Sequence, residues 1–422
     1  MLFLAQDLST IMSIILTMII ERPGEVGKLG AGNWRLVFGR RKTGKSYLVE
    51  NCTKYDDYFF VGRDRRIIEK VRWTEHGSDG FREILRRDLD GGKSVVVDEF
   101  HRLGDDFLDY LHALPQKGQL TIISSTLHTA HMLFSQRSPL LGKFAEVRIP
   151  IISLRDALAA VRGKELGPRE MMEKAVLLRE PIAIQLLEKG GTRRVVEMLR
   201  LSVPGLIGEI FSEEDRKLSA VYEGVIRAAA IGKTTSGEMS SYLFSRKLLA
   251  RDDPSLLQQY LDNLIEFGIL YRIPVWGRNR MVYRHVSPLT RMFYYLDEKY
   301  GIGEREISTD ETTSFMRELM PRIVEDAVRE SMAEYLGMRS YLHEAADFEV
   351  DGIFSRFKKP DVALEVKWGR NVSAGEIIRA RERLERIPAP KKILFVADKK
   401  GMRAGGLELM DVRDLLAGPA DH

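Results

Sequence analysis

The chemistry-bearing residues with the most demanding spacing are Gly39-Arg40-Arg41-Lys42-Thr43-Gly44-Lys45-Ser46. The two glycines let backbone amides wrap a polyphosphate, the lysine after the second reaches the β- and γ-phosphates, and the following hydroxyl is a magnesium ligand. All eight residues are therefore assigned to nucleotide binding. The apolar run Leu36-Val37-Phe38 precedes the loop and Tyr47-Leu48-Val49-Glu50 follows it, the strand-loop-helix setting that a phosphate-binding loop requires. A second element, Val95-Val96-Val97-Asp98-Glu99, ends an apolar strand in two carboxylates. Asp98 is expected to support Mg²⁺ together with Ser46, and Glu99 to orient or deprotonate the attacking water. Ser124-Ser125-Thr126 closes another apolar strand and offers a polar contact to the terminal phosphate. Which of the three makes it stays open, with Ser125 the assigned position. Arg137 and Lys143 lie farther on as candidate phosphate contacts, against the simpler reading of solvated charge. His128 and His131 have no third ligand in sequence and are assigned no metal.

These groups need a scaffold, and the chain is long enough for several. At 422 residues it exceeds what one core usually organises, so two to three domains are expected. With 44% hydrophobic and 30% charged residues the composition is globular and neither disordered nor collagen-like. A single cysteine, Cys52, excludes an internal disulfide and any multi-cysteine zinc site, in keeping with a cytoplasmic setting. A net charge of +4 confines any nucleic-acid contact to local basic patches. Abundant Lys, Arg and Glu beside sparse Asn and Gln is the bias of proteins that work hot. The apolar stretch ending at Ile20 is too short for a spanning helix and lacks a basic flank or cleavage site, so no membrane partner is expected.

From Trp34 to Pro150 short β-branched runs alternate with helical stretches, which predicts five parallel strands covered by helices in residues 1–150. Residues 151–205 read as a helical lid broken at Gly167-Pro168 and Gly190-Gly191. In residues 206–303, helical patterns at Glu213 to Ile231, Ser236 to Phe244 and Pro254 to Phe267 precede a hairpin turning at Trp276-Gly277-Arg278-Asn279-Arg280. That is the winged-helix order, with Arg272, Arg278, Arg280 and Arg284 on the wing as candidate DNA phosphate contacts. Residues 304–422 form a third unit reading helix, strand, strand, helix, strand. The fold class is thus α/β multidomain.

The chain resembles the archaeal ATPases of the signal-transducing P-loop lineage, related to AAA-type proteins. The resemblance is carried by Gly39-Arg40-Arg41, Val97-Asp98-Glu99-Phe100, Ser138 to Lys143, the winged helix and the segment Val282 to Tyr294. Family members often have Gly-Arg where this chain has Gly142-Lys143. The third unit, with Phe348-Glu349-Val350-Asp351 and Val362-Ala363-Leu364-Glu365-Val366-Lys367-Trp368, resembles the PD-(D/E)xK nuclease core, a restriction-endonuclease-like α/β domain. Strand alternation sets Glu365 and Lys367 on one face and Leu364 and Val366 on the other. The resemblance implies that Asp351 and Glu365 hold Mg²⁺ or Mn²⁺, that Lys367 stabilises the activated water, and that Glu325 adds a ligand. Asp361 is the alternative acidic partner. The expectation is therefore an ATP- and Mg²⁺-dependent enzyme that binds DNA and cleaves or senses it, with room for an oligomer. The alternative is a nucleotide-controlled switch whose C-terminal module binds without cutting.

Overall fold

In the computed structural model the described residues are 18–126, 140, 142–163, 165–214, 216–344, 348–369, 372–403 and 405–417. His128, His131, Arg137 and most of the N-terminal apolar stretch lie outside them. After helix α1 (Pro23–Leu29) come β1 (Trp34–Phe38), α2 (Lys45–Cys52), β2 (Asp57–Val61), the hairpin β3 (Ile67–Glu69) and β4 (Thr74–His76), and α3 (Ser78–Asp90). Then follow β5 (Ser94–Asp98), α4 (Asp105–Ala113), β6 (Gln119–Ser124) and β7 (Ala145–Arg148). The strands build one sheet in the order β4-β3-β2-β5-β6-β1-β7. From β2 to β7 neighbours are parallel, while β3 and β4 turn antiparallel at one edge.

The apolar strands read this way because both faces are covered. Leu36 packs with Phe59, Phe81 and Val97 on one side, while Val37 packs with Leu29, Leu48 and Val96 on the other. The sheet is parallel-rich, and its five parallel strands are those expected from the sequence; the edge hairpin was not foreseen.

Next come α5 (Leu154–Val161), α6 (Pro168–Leu178), α7 (Ile184–Glu213), α8 (Ala220–Ala230), α9 (Ser236–Ser245) and α10 (Gln258–Glu266). The hairpin of β8 (Leu270–Pro274) and β9 (Met281–His285) and helix α11 (Pro288–Tyr300) complete this middle part. Helix α7 runs through Gly190-Gly191, where a break was expected, and across position 205, where a boundary was expected. Its stripe Val195, Leu199, Val203, Ile207 and Phe211 is buried at every fourth position, and this packing outweighs the roughly 1 kcal/mol that each helical glycine costs. Glu213 therefore ends α7 instead of starting the following helix.

The C-terminal part opens with α12 (Thr309–Leu336), started by a capping box between Ser308 and Glu311. Strands β10 (Arg339–Glu344), β11 (Glu349–Ser355) and β12 (Val362–Lys367), helix α13 (Ala374–Glu385), β13 (Lys391–Val396), β14 (Glu408–Met410) and α14 (Val412–Ala417) follow. They form a five-stranded sheet, β10-β11-β12-β13-β14, antiparallel from β10 to β12 and parallel beyond. Strand β10 escaped the sequence reading because it is an edge strand with one buried residue, Leu342.

One hydrophobic core links most of the elements after β7. Leu158 and Val176 of α5 and α6, Phe211 of α7, Val225 of α8, Met292 of α11, Val324 of α12, Leu364 of β12 and Leu415 of α14 belong to a single buried cluster. The outer face of the five-stranded sheet is covered separately by Ala380 and Leu384 of α13.

Candidate functional site

The loop between β1 and α2 has its shape for steric reasons. A Cβ on Gly39 would lie 2.2 Å from the carbonyl oxygen of Ile149, so only glycine lets the end of β7 press against the loop. Gly44 has φ +90°, a conformation that side chains disfavour. Lys45 is buried, with Nζ donating to the Arg40 carbonyl at 3.1 Å. Burial lowers its pKa to about 8, opposed by the nearby carboxylates of Glu99 and Asp98. Arg22, which the sequence reading did not assign, donates to the carbonyls of Thr43 at 2.8 Å and Pro150 at 2.9 Å, tying the loop to the end of the sheet.

Strand β5 delivers Asp98 beside Ser46. Tyr58 donates to Asp98 Oδ2 at 2.8 Å, while Oδ1 is buried with no partner among the described residues. Burial, and then the charge of Glu99, push the Asp98 pKa up, partly offset by Tyr58 and the Ser46 hydroxyl. A buried carboxylate oxygen without a donor, next to a serine hydroxyl, fits a hard divalent cation such as Mg²⁺. Glu99 follows in the left-handed conformation, φ 59° and ψ 36°, which costs a non-glycine residue on the order of 1 kcal/mol and turns its side chain out of the strand. Ser125 donates to Glu99 Oε2 at 2.7 Å, so of the three hydroxyls at the end of β6 it is Ser125 that touches the acid. Ser124 instead bonds Thr126 at 3.0 Å and His101 at 3.3 Å.

The paired arginines of the loop hold carboxylates on and just before α7, contacts that the sequence reading missed. Arg40 donates to the buried Glu180 at 2.5 Å, and Arg41 to Glu209 at 2.6 Å and Glu213 at 3.2 Å. Lys42 is exposed. Lys143, a candidate phosphate contact in the sequence, caps α4 by donating to the carbonyls of Leu111 at 3.3 Å and Leu114 at 3.1 Å. Beside the loop lies a cavity of about 490 Å³ walled by Ile20, Arg22, Tyr47, Ile152, Pro181 and Ile184, an apolar slot with the phosphate loop at its edge. Among the described residues, the one set of three groups able to share a metal ion is Glu99, His101 and Glu213, with ligand atoms within 4.8 Å of one another.

In the C-terminal sheet a β-bulge aims the first carboxylate. The register passes from Tyr341↔Ile353 to His343↔Val350, which leaves an extra residue in β11 at Asp351-Gly352. The ladder to β12 reaches only Gly352↔Leu364, and Asp351 Oδ2 instead accepts from the Val366 amide at 2.7 Å. Burial, then the charges of Glu325 on α12 and Glu365 on β12, drive the Asp351 pKa well up, while Lys367 opposes the shift. Lys367 donates to Glu365 Oε1 at 2.7 Å, and Arg383 of α13, unforeseen in the sequence, does so at 3.0 Å. Glu365 Oε2 is buried without a partner among the described residues. Glu325, Asp351, Glu365 and Lys367 are thus brought together, and the orphaned Oε2 fits a cation, although the three carboxylates do not gather as tightly as the set at Glu99. Asp361 is elsewhere, accepting from the Arg356 amide at 3.2 Å in the β11–β12 turn.

The β8–β9 hairpin, read from the sequence as a wing, is packed against the C-terminal part. Its tip docks on β10: Trp276 donates from its amide to Leu342 at 2.7 Å, its ring meets Tyr341 at 4.9 Å, and Arg280 pairs with Glu344. Arg284 faces α12, 3.6 Å from Asp326, in a buried cluster where Asp326 also pairs with Arg291 and Arg329. These two arginines were assigned to DNA from local sequence, but carboxylates from the C-terminal part already hold them. Arg272 and Arg278 remain exposed, and α10, which would enter a groove, carries no Lys or Arg. A second exposed basic tip joins β11 to β12, where Arg356, Lys358 and Lys359 flank Phe357, itself 87% exposed.

No helix among the described residues is long and apolar enough to cross a membrane. No protein-family model and no curated protein matches the chain. Among solved structures it is similar to a Walker-type ATPase of Pyrococcus abyssi, with 18% identity over 65% of this chain and 96% of that one and a TM-score of 0.46. It is also similar to the ORC2 protein of Aeropyrum pernix in ADPNP and ADP complexes, with 12% identity, 75% and 96% covered and a TM-score of 0.38. The ORC1 protein of the same organism in complex with DNA has 15% identity, 68% and 94% covered and a TM-score of 0.31.

Proposed function

We propose that the protein binds and hydrolyses ATP at the β1–α2 loop and uses it on DNA, with the C-terminal carboxylate site acting as a metal-dependent nuclease centre. The observation that carries the ATPase part is the buried Lys45 facing Asp98, whose Oδ1 has no partner among the described residues. Lys45 would hold the β- and γ-phosphates, and Ser46 and Asp98 would hold Mg²⁺, which supplies charge neutralisation at the phosphoryl oxygens when bound. Glu99 orients the attacking water and takes its proton, with Ser125 fixing the carboxylate through Oε2. The apolar slot at Ile20, Ile152 and Ile184 suits the flat face of a nucleobase.

Glu99→Gln keeps the shape and removes the base, so ATP binding stays within about twofold while turnover falls by about 100-fold or more, within the range a positioned general base contributes. A steady-state phosphate-release assay decides this, and equal rates in variant and parent take Glu99 out of the mechanism.

The DNA part of the reading is supported by the three helices followed by a hairpin, by the exposed Arg272 and Arg278, and by the basic tip at Arg356 to Lys359. For cleavage, Asp351 and Glu365 would hold the metal and Lys367 would stabilise the activated water. The test incubates the pure protein with linear, branched and single-stranded DNA and Mg²⁺ or Mn²⁺, with and without ATP. Cleavage is expected to vanish in Asp351→Ala while ATP turnover survives. Bound but uncut DNA in every arm overturns the nuclease assignment and leaves the ATPase assignment standing.

A further inference from the structure

We propose that Arg41, Arg63, His101 and Arg102 form the binding site for the terminal phosphate of ATP, and that Glu213 at the end of α7 occupies this site in competition with it. The inference rests on the ATP-binding reading and adds which residues distinguish a triphosphate from a diphosphate.

Glu213 is a carboxylate in an anion site. Its Oε1 lies 3.2 Å from Arg41, 3.4 Å from Arg63 and 3.1 Å from Arg102, and its Oε2 lies 3.2 Å from His101. Three guanidiniums converge on one oxygen that offers two lone pairs, whereas a phosphoryl group presents three oxygens to the same forks. The hydrogen bond from His101, with Arg102 and Arg41 adding their charge against the cost of burial, brings the Glu213 pKa down to about 2, so it stays ionised.

The placement makes little sense for α7 alone. Glu209 and Glu213 sit in the last turn of that helix, which carries no basic residue there, and negative charge at a helix C-terminus opposes the macrodipole. What holds them is the cationic box across from them.

The box belongs to the nucleotide site. Arg41 is part of the phosphate loop and lies 3.8 Å from Glu99, while Arg102 lies 3.7 Å and His101 3.6 Å from the same acid. Arg102 is pre-positioned by donating to the Val61 carbonyl at 2.8 Å. Glu99, His101 and Glu213 are spaced for a metal ion, yet a cation there would sit among three arginines, so the surroundings select an anion. Three arginines against Glu99, Glu209 and Glu213 are balanced, 3 − 3 = 0, and withdrawal of Glu213 leaves one net positive charge for the incoming phosphate. A diphosphate that ends short of the box leaves Glu213 in place. A triphosphate displaces it and frees the end of α7 from the phosphate loop.

The test measures calorimetric affinities of the full chain for ATPγS and ADP, each with Mg²⁺, in the parent, Glu213→Gln and Arg102→Ala proteins. Glu213→Gln is expected to tighten ATPγS about tenfold and leave ADP within about twofold, and Arg102→Ala to weaken ATPγS about tenfold or more with ADP again spared. Equal shifts for both nucleotides, or no shift for ATPγS, overturn the proposal. If Glu213→Gln does not fold, the ATPγS-to-ADP ratio of Arg102→Ala decides alone. A parent that binds neither nucleotide removes the ATP reading itself, a different failure.

Discussion

Lys45→Ala is expected to weaken both ATP and ADP by between about 30-fold and several thousand-fold, because truncating one partner of a buried charge pair costs about 2–5 kcal/mol. Lys45 is enclosed by the loop, and its low pKa reflects an ammonium waiting for negative charge in a dry site. A bound phosphate supplies that charge, and alanine removes the enclosed side-chain cation that meets it. Removing the lysine also relieves its desolvation, so the variant should melt no lower than the parent, which separates lost binding from lost folding. Equilibrium titration with a fluorescent ADP checks the affinity, and an unchanged value would remove the loop from nucleotide binding.

The other large effect is on stability. Asp326 faces Arg284, Arg291 and Arg329, and the Arg329 side chain is 1% exposed. Asp326→Ala leaves three largely buried guanidiniums without the carboxylate they pair with, and breaking such a pair from one side costs about 3–5 kcal/mol. The loss should appear as a lower urea midpoint with the slope preserved. Burial alone would raise the Asp326 pKa, but Arg329, Arg291 and Arg284 hold it well below the ordinary carboxylate value. For a depressed carboxylate the stabilisation is fully present above the unfolded value, about pH 4, and is lost as pH falls from there toward the folded value. A midpoint shift equivalent to less than about 1 kcal/mol would show that water already screens the cluster.

How far these sites were legible follows from how each is built. The phosphate loop is eight contiguous residues acting through backbone and one lysine, so its sequence is nearly its structure. The acids at the end of β5 were readable for the same reason, since three valines announce the strand. The carboxylate partners of Arg40 and Arg41 were not readable, because Glu180, Glu209 and Glu213 lie 140 to 172 residues away and no local pattern links them. The partners of Arg280 and Arg284 were hidden in the same way: a basic hairpin suggests phosphate, and only the fold shows Glu344 and Asp326 lying against it. Asp351 was placed beside Glu365 and Lys367 by motif, but the bulge that turns its carboxylate onto the Val366 amide leaves only a faint mark in the sequence. Gly352 hints at it, since a Cβ there would come within 3.1 Å of the Phe354 ring.

The unbroken interior from α5 to α14 also bears on how such a chain can be inherited. A recombination event that joined foreign sequence at position 205 would cut α7 in half, and one at position 303 would strip Val324 and Leu364 from Met292 and Val225. Either graft would present bare apolar faces on both products. Parts sharing one interior travel as a single cassette, and neutral drift in one must be answered by compensating drift in the others. The β1–β7 sheet, with its own cores on both faces, is the segment free to be exchanged, provided that the incoming loop brings arginines for Glu180 and Glu213.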